Sequence, residues 1–594
     1  MTDFGLDLAV IGNGRTAALI EPSSRLVWWC FPRFDGDPVF CRLLAGEEEK
    51  GFCDVVLEGM VATSSDYVRN TALVSTVLTD RNDAAVRITD FAPRFREFDR
   101  VFRPSQLVRI IEPIAGLPRI VIRFRPTSRY GMPISTKSIG SNHITFHGDD
   151  VALRLTTDAP LSYIDREASF VLTRPLHLVM GPDEPFPAAL ASTCHEFADR
   201  TRDYWLEWVR RLSIAYDWQD VMIRAAIALK LSNFEETGAI IAAHTTSIPE
   251  APGSGRTWDY RYCWMRDAYF VVKALNRLGA TQTMEDFITF ILGIASEKVV
   301  RPVYSIVPSD PMEEEIADNL KGYGGDGPVR IGNAAVHQLQ HDTYGSIILA
   351  AMPMFFDRRL PRPGDAGLFH LLERLGVEAE RAAFLPDAGI WEYRGRARIH
   401  THSAAMCWAG CNRLGAIARH LGIADRAAHW TRTAEAIGAR LLEEAWNEKR
   451  GAFTVGLGVD DLDASVLLLP EIGLVEAGDP RFVRTIEAIE RELLRDKHVM
   501  RYTSEDDFGV PESAFFVCRF WLIDVWWKLG RREQALDMFT DALRYRNRYG
   551  LLAEHVHLKT GELWGNYPQT YSMAGMILTA MRLSRSWEDR YWHD

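Results

Sequence analysis

The sequence predicts a multidomain β + α chain: an N-terminal β-sandwich followed by a C-terminal (α/α)6 barrel. Three observations carry this reading. Short runs of alternating polarity, closed by Asp, Gly, Asn or Pro, fill residues 1–190. The period then changes to that of a helix. From about residue 216 onward, about a dozen helical patterns follow, many ending in glycine and separated by longer loops.

Residues 1–194 are assigned to the sandwich. LVSTVLTD (73–80), AAVRITDFA (84–92), RIVIRFRP (119–126), HITFHG (143–148), VALRLTTD (151–158) and SFVLTR (169–174) alternate with a period of two. In IGNGRTAALI, Gly12 and Gly14 lack the third glycine of a dinucleotide fingerprint, so a tight turn ahead of a strand is the reading. Residues 195–215 are assigned to a linker helix, with Phe197, Tyr204, Trp205, Trp208, Val209 and Leu212 on one stripe. Residues 216–594 are assigned to the barrel, beginning with VMIRAAIALKLSNF (221–234) and AYFVVKALNRLG (268–279) and closing with TYSMAGMILTAMRL (570–583). Paired helices in two rings form a scaffold, and the chemistry falls to the loops.

Bulk composition narrows the function. The chain is 47% apolar and 25% charged, a globular balance, and 594 residues exceed one ordinary core. A net charge of −12 argues against nucleic acid and an anionic membrane as partners and leaves a small neutral substrate open. The N-terminal stretch shows no signal-peptide pattern and no run is long enough to span a bilayer, so the cytoplasm is expected. The eight cysteines include no CxxC pair. Cys407 and Cys411, downstream of His400 and His402, have the wrong spacing for zinc and are read as buried thiols. No metal and no cofactor is called for, and homo-oligomerisation is left open.

Four loop segments place Trp or Tyr beside Arg, Asp or Glu: WDYRYCWMRD (258–267), PVRIGN (328–333), GIWEYRG (389–395) and GLLAEHVHLKTGELWGNYPQ (550–569). Aromatic faces suit sugar rings, and Arg and carboxylates suit their hydroxyls. Glu392 stands between Trp391 and Tyr393, and an aromatic wall there would hold its carboxyl protonated as a general acid. Against this stands an ordinary solvated glutamate on a surface turn. Glu554, in GLLAEHV, is the second carboxylate, set against a plain loop charge. Two such groups are what hydrolysis of a glycosidic bond requires.

These segments, together with AVIGNGRTAALI, WWCFPRFD (28–35) and DDLDASVLLLP (460–470), occur in an order that closely resembles glycoside hydrolase family 15, the glucoamylase and bacterial trehalase family, nearly end to end. The resemblance implies inverting hydrolysis of terminal α-glucosidic bonds with release of β-glucose. It implies Glu392 as general acid and Glu554 as general base. It implies Arg266 and Asp267 as the grip on the non-reducing glucose, Tyr260 and Trp264 as aromatic walls, and Arg330, Trp391 and Tyr393 as further pocket residues. Trehalose is the favoured substrate, with a glucoamylase-like α-glucosidase acting on malto- or isomalto-oligosaccharides as the runner-up. A non-catalytic carbohydrate-binding protein and a glycan phosphorylase are the readings from other classes, and the presence of both glutamates disfavours each. The chain departs from the family pattern at Tyr567, Met573, Glu512–Ser513 and His402, which are expected to bear on substrate choice from near the pocket rim.

Overall fold

The computed structural model describes residues 5–46, 48–185, 188–294, 300–308 and 310–592. The N-terminal region is β-rich, and two antiparallel sheets of seven and eight strands build it. In the larger sheet, Val74–Asp80 alternates buried and half-buried residues and pairs on both sides, as its period of two requires. In the smaller sheet, Leu26–Phe31 is buried at every position, because this strand is covered on both faces. The Trp29 indole donates to Thr16 Oγ1 within the β region (2.7 Å), while that of Trp28 reaches across to the His244 carbonyl (2.8 Å). Gly14 lies in the turn between the paired strands Ala9–Gly12 and Ala17–Ile20, with φ at +80°.

The C-terminal region is helical. Helix α1 (Leu190–Arg210) joins it to the sheets, starting five residues before the assigned linker because Ala and Leu carry the helical period backwards. The long helices that follow are α2 (Gln219–Leu231), α3 (Met265–Arg277), α4 (Gln282–Ile294), α5 (Asp342–Ala351), α6 (Ala366–Ala382), α7 (Thr401–His420), α8 (Ala424–Glu444), α9 (Pro480–Glu492), α10 (Phe516–Lys528), α11 (Arg532–Ala542) and α12 (Thr570–Leu583). Helix α3 packs on α5, α5 on α7, and α7 on the helical segment 464–472. That segment packs on α10, α10 on α12, and α12 returns to α3. These helices are buried almost all round. Helices α6, α8 and α9 lie outside them with one apolar and one exposed face, the amphipathic pattern of a helix with solvent on one side. Among the described residues no helix is long and apolar enough to cross a membrane.

A fully buried arginine ties the two regions together. Arg261 grips Asp259 with two nitrogens (2.9 and 2.6 Å), and it also donates to the Gly36 carbonyl (2.8 Å) and Tyr130 Oη (3.2 Å) of the β region. Segment 258–264 is therefore anchored from the sheets. Replacing Arg261 by Leu strands a buried carboxylate, which costs about 3–5 kcal/mol. A clear fall in the thermal midpoint is expected; an unchanged midpoint contradicts the anchor.

Candidate active site

A pocket of about 870 Å³, including its mouth, opens where the loops meet, within the range of small-molecule sites. Tyr260, Trp264, Arg266, Asp267, Trp391, Glu392, Tyr393 and Glu554 all line it. Arg330 does not: it stands one layer back, with its guanidinium on Glu314 (2.7 Å).

The anchored segment supplies the central feature. Cys263–Trp264 pairs with Val303–Tyr304, and Trp264 is the N-cap of α3. Arg266 and Asp267, expected on a loop, occupy the first turn of α3, where Asp267 meets the positive end of the helix dipole. The rings of Tyr260 and Trp264 meet edge to face at 5.4 Å. Tyr260 Oη donates to Glu554 Oε1 (2.8 Å), and Trp264 Nε1 donates to Glu392 Oε1 (2.6 Å). One aromatic pair thus holds both carboxyls.

Glu392 has a φ of +60°, a conformation in which non-glycine residues are rare and which marks a constrained site. This turn corrects the expectation that Trp391 and Tyr393 enclose its carboxyl. Left-handed backbone at Glu392 sends the three side chains to different neighbours. Trp391 donates to Asp463 Oδ2 (2.7 Å) and packs on Phe515 and Trp521, while Tyr393 stacks on His400 at 5.9 Å. The groups on the Glu392 carboxyl are instead Trp264 and Arg266, whose Nη2 lies 3.1 Å away. Arg266 also reaches Gln340 Oε1 (3.2 Å) and lies 4.0 Å from Asp342. Burial and the nearby Glu392 carboxylate push Asp267 up to about 6 against the pull of Arg266.

Glu554 is buried ahead of the strand His555–His557, the middle of three strands with Ser513–Phe515 and Leu563–Trp564. Gly565 explains the glycine after GELW. Its φ is +78°, and a Cβ there would meet Glu554 Cβ at 2.8 Å. Burial, and then the neighbouring Glu250 carboxylate, hold Glu554 well above the ordinary carboxylate range. Glu250 is a site residue the sequence did not disclose. Despite its burial, Arg501 (2.8 Å) holds it below the ordinary range, and the Trp258 indole also donates to it (3.1 Å).

In the base role that the family resemblance implies, Glu554 would be active only when ionised, so activity should fall as pH drops through its raised value. Replacing Glu250 by Gln removes the repelling charge. The acidic limb of kcat/KM against pH is then expected to move down by about 1 pH unit; an unmoved or raised limb contradicts this coupling.

The positions that depart from the family pattern do not reach the pocket. Tyr567 donates to the Leu8 carbonyl (2.5 Å), Met573 is buried in α12, and Ser513 donates to the Glu250 carbonyl (2.6 Å). His402 is enclosed beside Arg266, and its imidazole is driven down to about 3, chiefly by burial. These four are buried behind the lining and Glu512 is exposed outside it, which corrects the expectation of rim positions. Cys407 and Cys411 are buried thiols, with Cys407 donating to the His341 carbonyl (3.3 Å).

The chain is similar to known proteins in sequence and in fold. Residues 217–581 match the family model of Glycosyl hydrolases family 15, and residues 6–159 match that of the trehalase-like N-terminal region. The chain is 30% identical to the trehalase of Thermoplasma volcanium, covering 97% of this chain and 93% of that one. It is 28% identical to the trehalase of Mycobacterium tuberculosis, covering 98% and 90%. A bacterial glucoamylase solved with acarbose superposes with a TM-score of 0.68 over 97% of this chain and 93% of that one, at 13% identity, a likeness of fold. With residues 217–581 matched by the family model and 97% of the chain aligned to a curated relative at 30% identity, the chain belongs to glycosyl hydrolases family 15.

Proposed function

We propose that the protein is an inverting, exo-acting α-glucoside hydrolase that releases β-glucose, with trehalose as its favoured substrate. The observation that carries this reading is the shared aromatic pair: two carboxyls in one pocket, each accepting a hydrogen bond from one ring of Tyr260–Trp264. The architecture that goes with it is a β-sandwich over residues 1–194, a linker at 195–215 and an (α/α)6 barrel over 216–594. In the barrel α3, α5, α7, segment 464–472, α10 and α12 are the inner ring. Eight buried, unpaired cysteines accord with a cytoplasmic enzyme.

The non-reducing glucose enters first and reaches the bottom of the pocket, where Arg266 and Asp267 bind its hydroxyls. Tyr260, Trp264, Trp391 and Tyr393 wall it and exclude water. Glu392 in its acid form gives its proton to the glycosidic oxygen as the bond to the anomeric carbon breaks. Glu554 in its ionised form takes a proton from water attacking the opposite face, which inverts the configuration. Room for that water sets the separation of the two carboxyls at roughly 6.5–9.5 Å. Arg330 supports the rim from behind and does not touch the sugar.

The reading of substrate rests on the trehalase relatives and on a pocket sized for small sugars. A panel of trehalose, isomaltose, maltose and longer malto-oligosaccharides is expected to give the highest kcat/KM with trehalose. Cleavage of maltose but not trehalose overturns that choice and leaves a glucoamylase-like enzyme.

A further inference from the structure

We propose that Arg394 and Trp258 form the leaving-group subsite at the pocket mouth, and that the clamp of Glu314 on Arg394 confines that subsite to a single sugar ring. The proposal rests on the α-glucoside reading above. Depth within the pocket is the first support. Side-chain exposure rises from 7% at Asp267 through 22% at Glu392 to 31% at Arg394. The acid protonates the oxygen between two rings, so the departing ring lies on the outer side of Glu392. Arg394, two residues along and lining the pocket, stands on that side.

The second support is how firmly this arginine is held. Its Nη1 and Nη2 donate to Glu314 Oε1 and Oε2 at 3.0 and 2.6 Å. Glu314 is fixed in turn by Arg330 Nη1 (2.7 Å) and the Ala334 amide (3.3 Å). The amides of Arg394 and Gly395 donate to Asp507 at 2.7 and 3.0 Å. The guanidinium lies over the Trp258 ring, 4.3 Å from its centroid, and Trp258 meets Phe508 edge on at 5.2 Å. Arg256 and Asp506, in the same lining, form a two-bond pair, both distances 2.6 Å. Segments from four distant parts of the chain therefore interlock around the mouth.

The third support is energetic. Ion pairs near a surface add little stability, and ordering long side chains costs conformational entropy. A fork pinned in place beside an indole is instead a prepared surface for a hydroxylated ring. Each terminal nitrogen of Arg394 gives one N–H to Glu314, which leaves the Nε–H and the second N–H of each Nη as donors for sugar hydroxyls. With the clamp closed, the mouth ends one ring beyond the scissile bond, which suits a disaccharide better than a chain.

The test compares kcat/KM for trehalose, for α-glucosyl fluoride and for maltotriose in wild type, Glu314→Gln and Arg394→Lys. Fluoride is a single atom and does not reach the rim. Both variants are expected to lose at least about tenfold in the trehalose-to-fluoride ratio, with KM carrying the loss, and to gain on maltotriose relative to trehalose. A common factor across all three substrates in both variants overturns the subsite and leaves the hydrolase reading standing. A wild-type enzyme inert on every α-glucoside overturns the hydrolase reading and the subsite with it.

Discussion

Replacing Glu392 by Gln should leave a folded protein whose turnover of trehalose falls by roughly 10²–10⁴-fold, the range lost with a general acid. Gln keeps the shape that accepts from Trp264 and lies beside Arg266, so packing is preserved. What it lacks is the proton for the departing sugar oxygen. The loss should therefore depend on the leaving group. Fluoride departs without that proton, and α-glucosyl fluoride should be hydrolysed with a far smaller defect. Rates on both substrates, with a thermal melt to establish folding, decide the matter. Unchanged turnover of trehalose, or equal loss on both substrates, contradicts the assignment of Glu392 as the acid.

Replacing Glu554 by Gln has a different signature. Water must be activated whatever group leaves, so the loss should be comparably large on trehalose and on the fluoride. Stability should move the other way. Burial and Glu250 raise the Glu554 carboxyl in the folded state. A carboxyl raised on folding favours the fold below its unfolded value, and that contribution is lost as pH rises through the folded value. The neutral amide has no such dependence. The variant should therefore gain thermal stability over wild type, and the gain should be larger at pH 8 than at pH 5. A gain that is equal at both, or that shrinks toward pH 8, contradicts the strained-carboxyl account. This is a trade of stability for function placed at a single side chain.

Much of this was legible in the sequence because local pattern and tertiary role coincide. Val74–Asp80 alternates because one of its faces meets the core, and α9 follows its apolar period. GIWEYRG, WDYRYCWMRD and GLLAEHV name residues that line one pocket, since motif residues cluster where loops converge. What the sequence did not disclose depends on direction and distance. The positive φ at Glu392, which parts it from Trp391 and Tyr393, is a backbone state that no residue in GIWEYRG announces. Arg330 and Arg394 both bear guanidinium groups in motif segments, yet only Arg394 faces the pocket, because Glu314 lies between them. Glu250 sits in SIPEAPGSG, an unremarkable turn-rich stretch, and acquires its meaning only from Arg501, 251 residues away. The buried polar residues behind the lining, Tyr567 and His402 among them, read as rim candidates for the same reason: identity gives chemistry, whereas burial is set by the rest of the chain.

The central claim is that Glu392 and Glu554 act on opposite faces of one glucose. Proton NMR of the first turnovers on trehalose, read before mutarotation, tests it most directly. Inversion converts the attacked ring to β-glucose while the departing ring leaves as α-glucose, so the account predicts the two anomers in equal amounts. Release of α-glucose alone would mean retention and would contradict it.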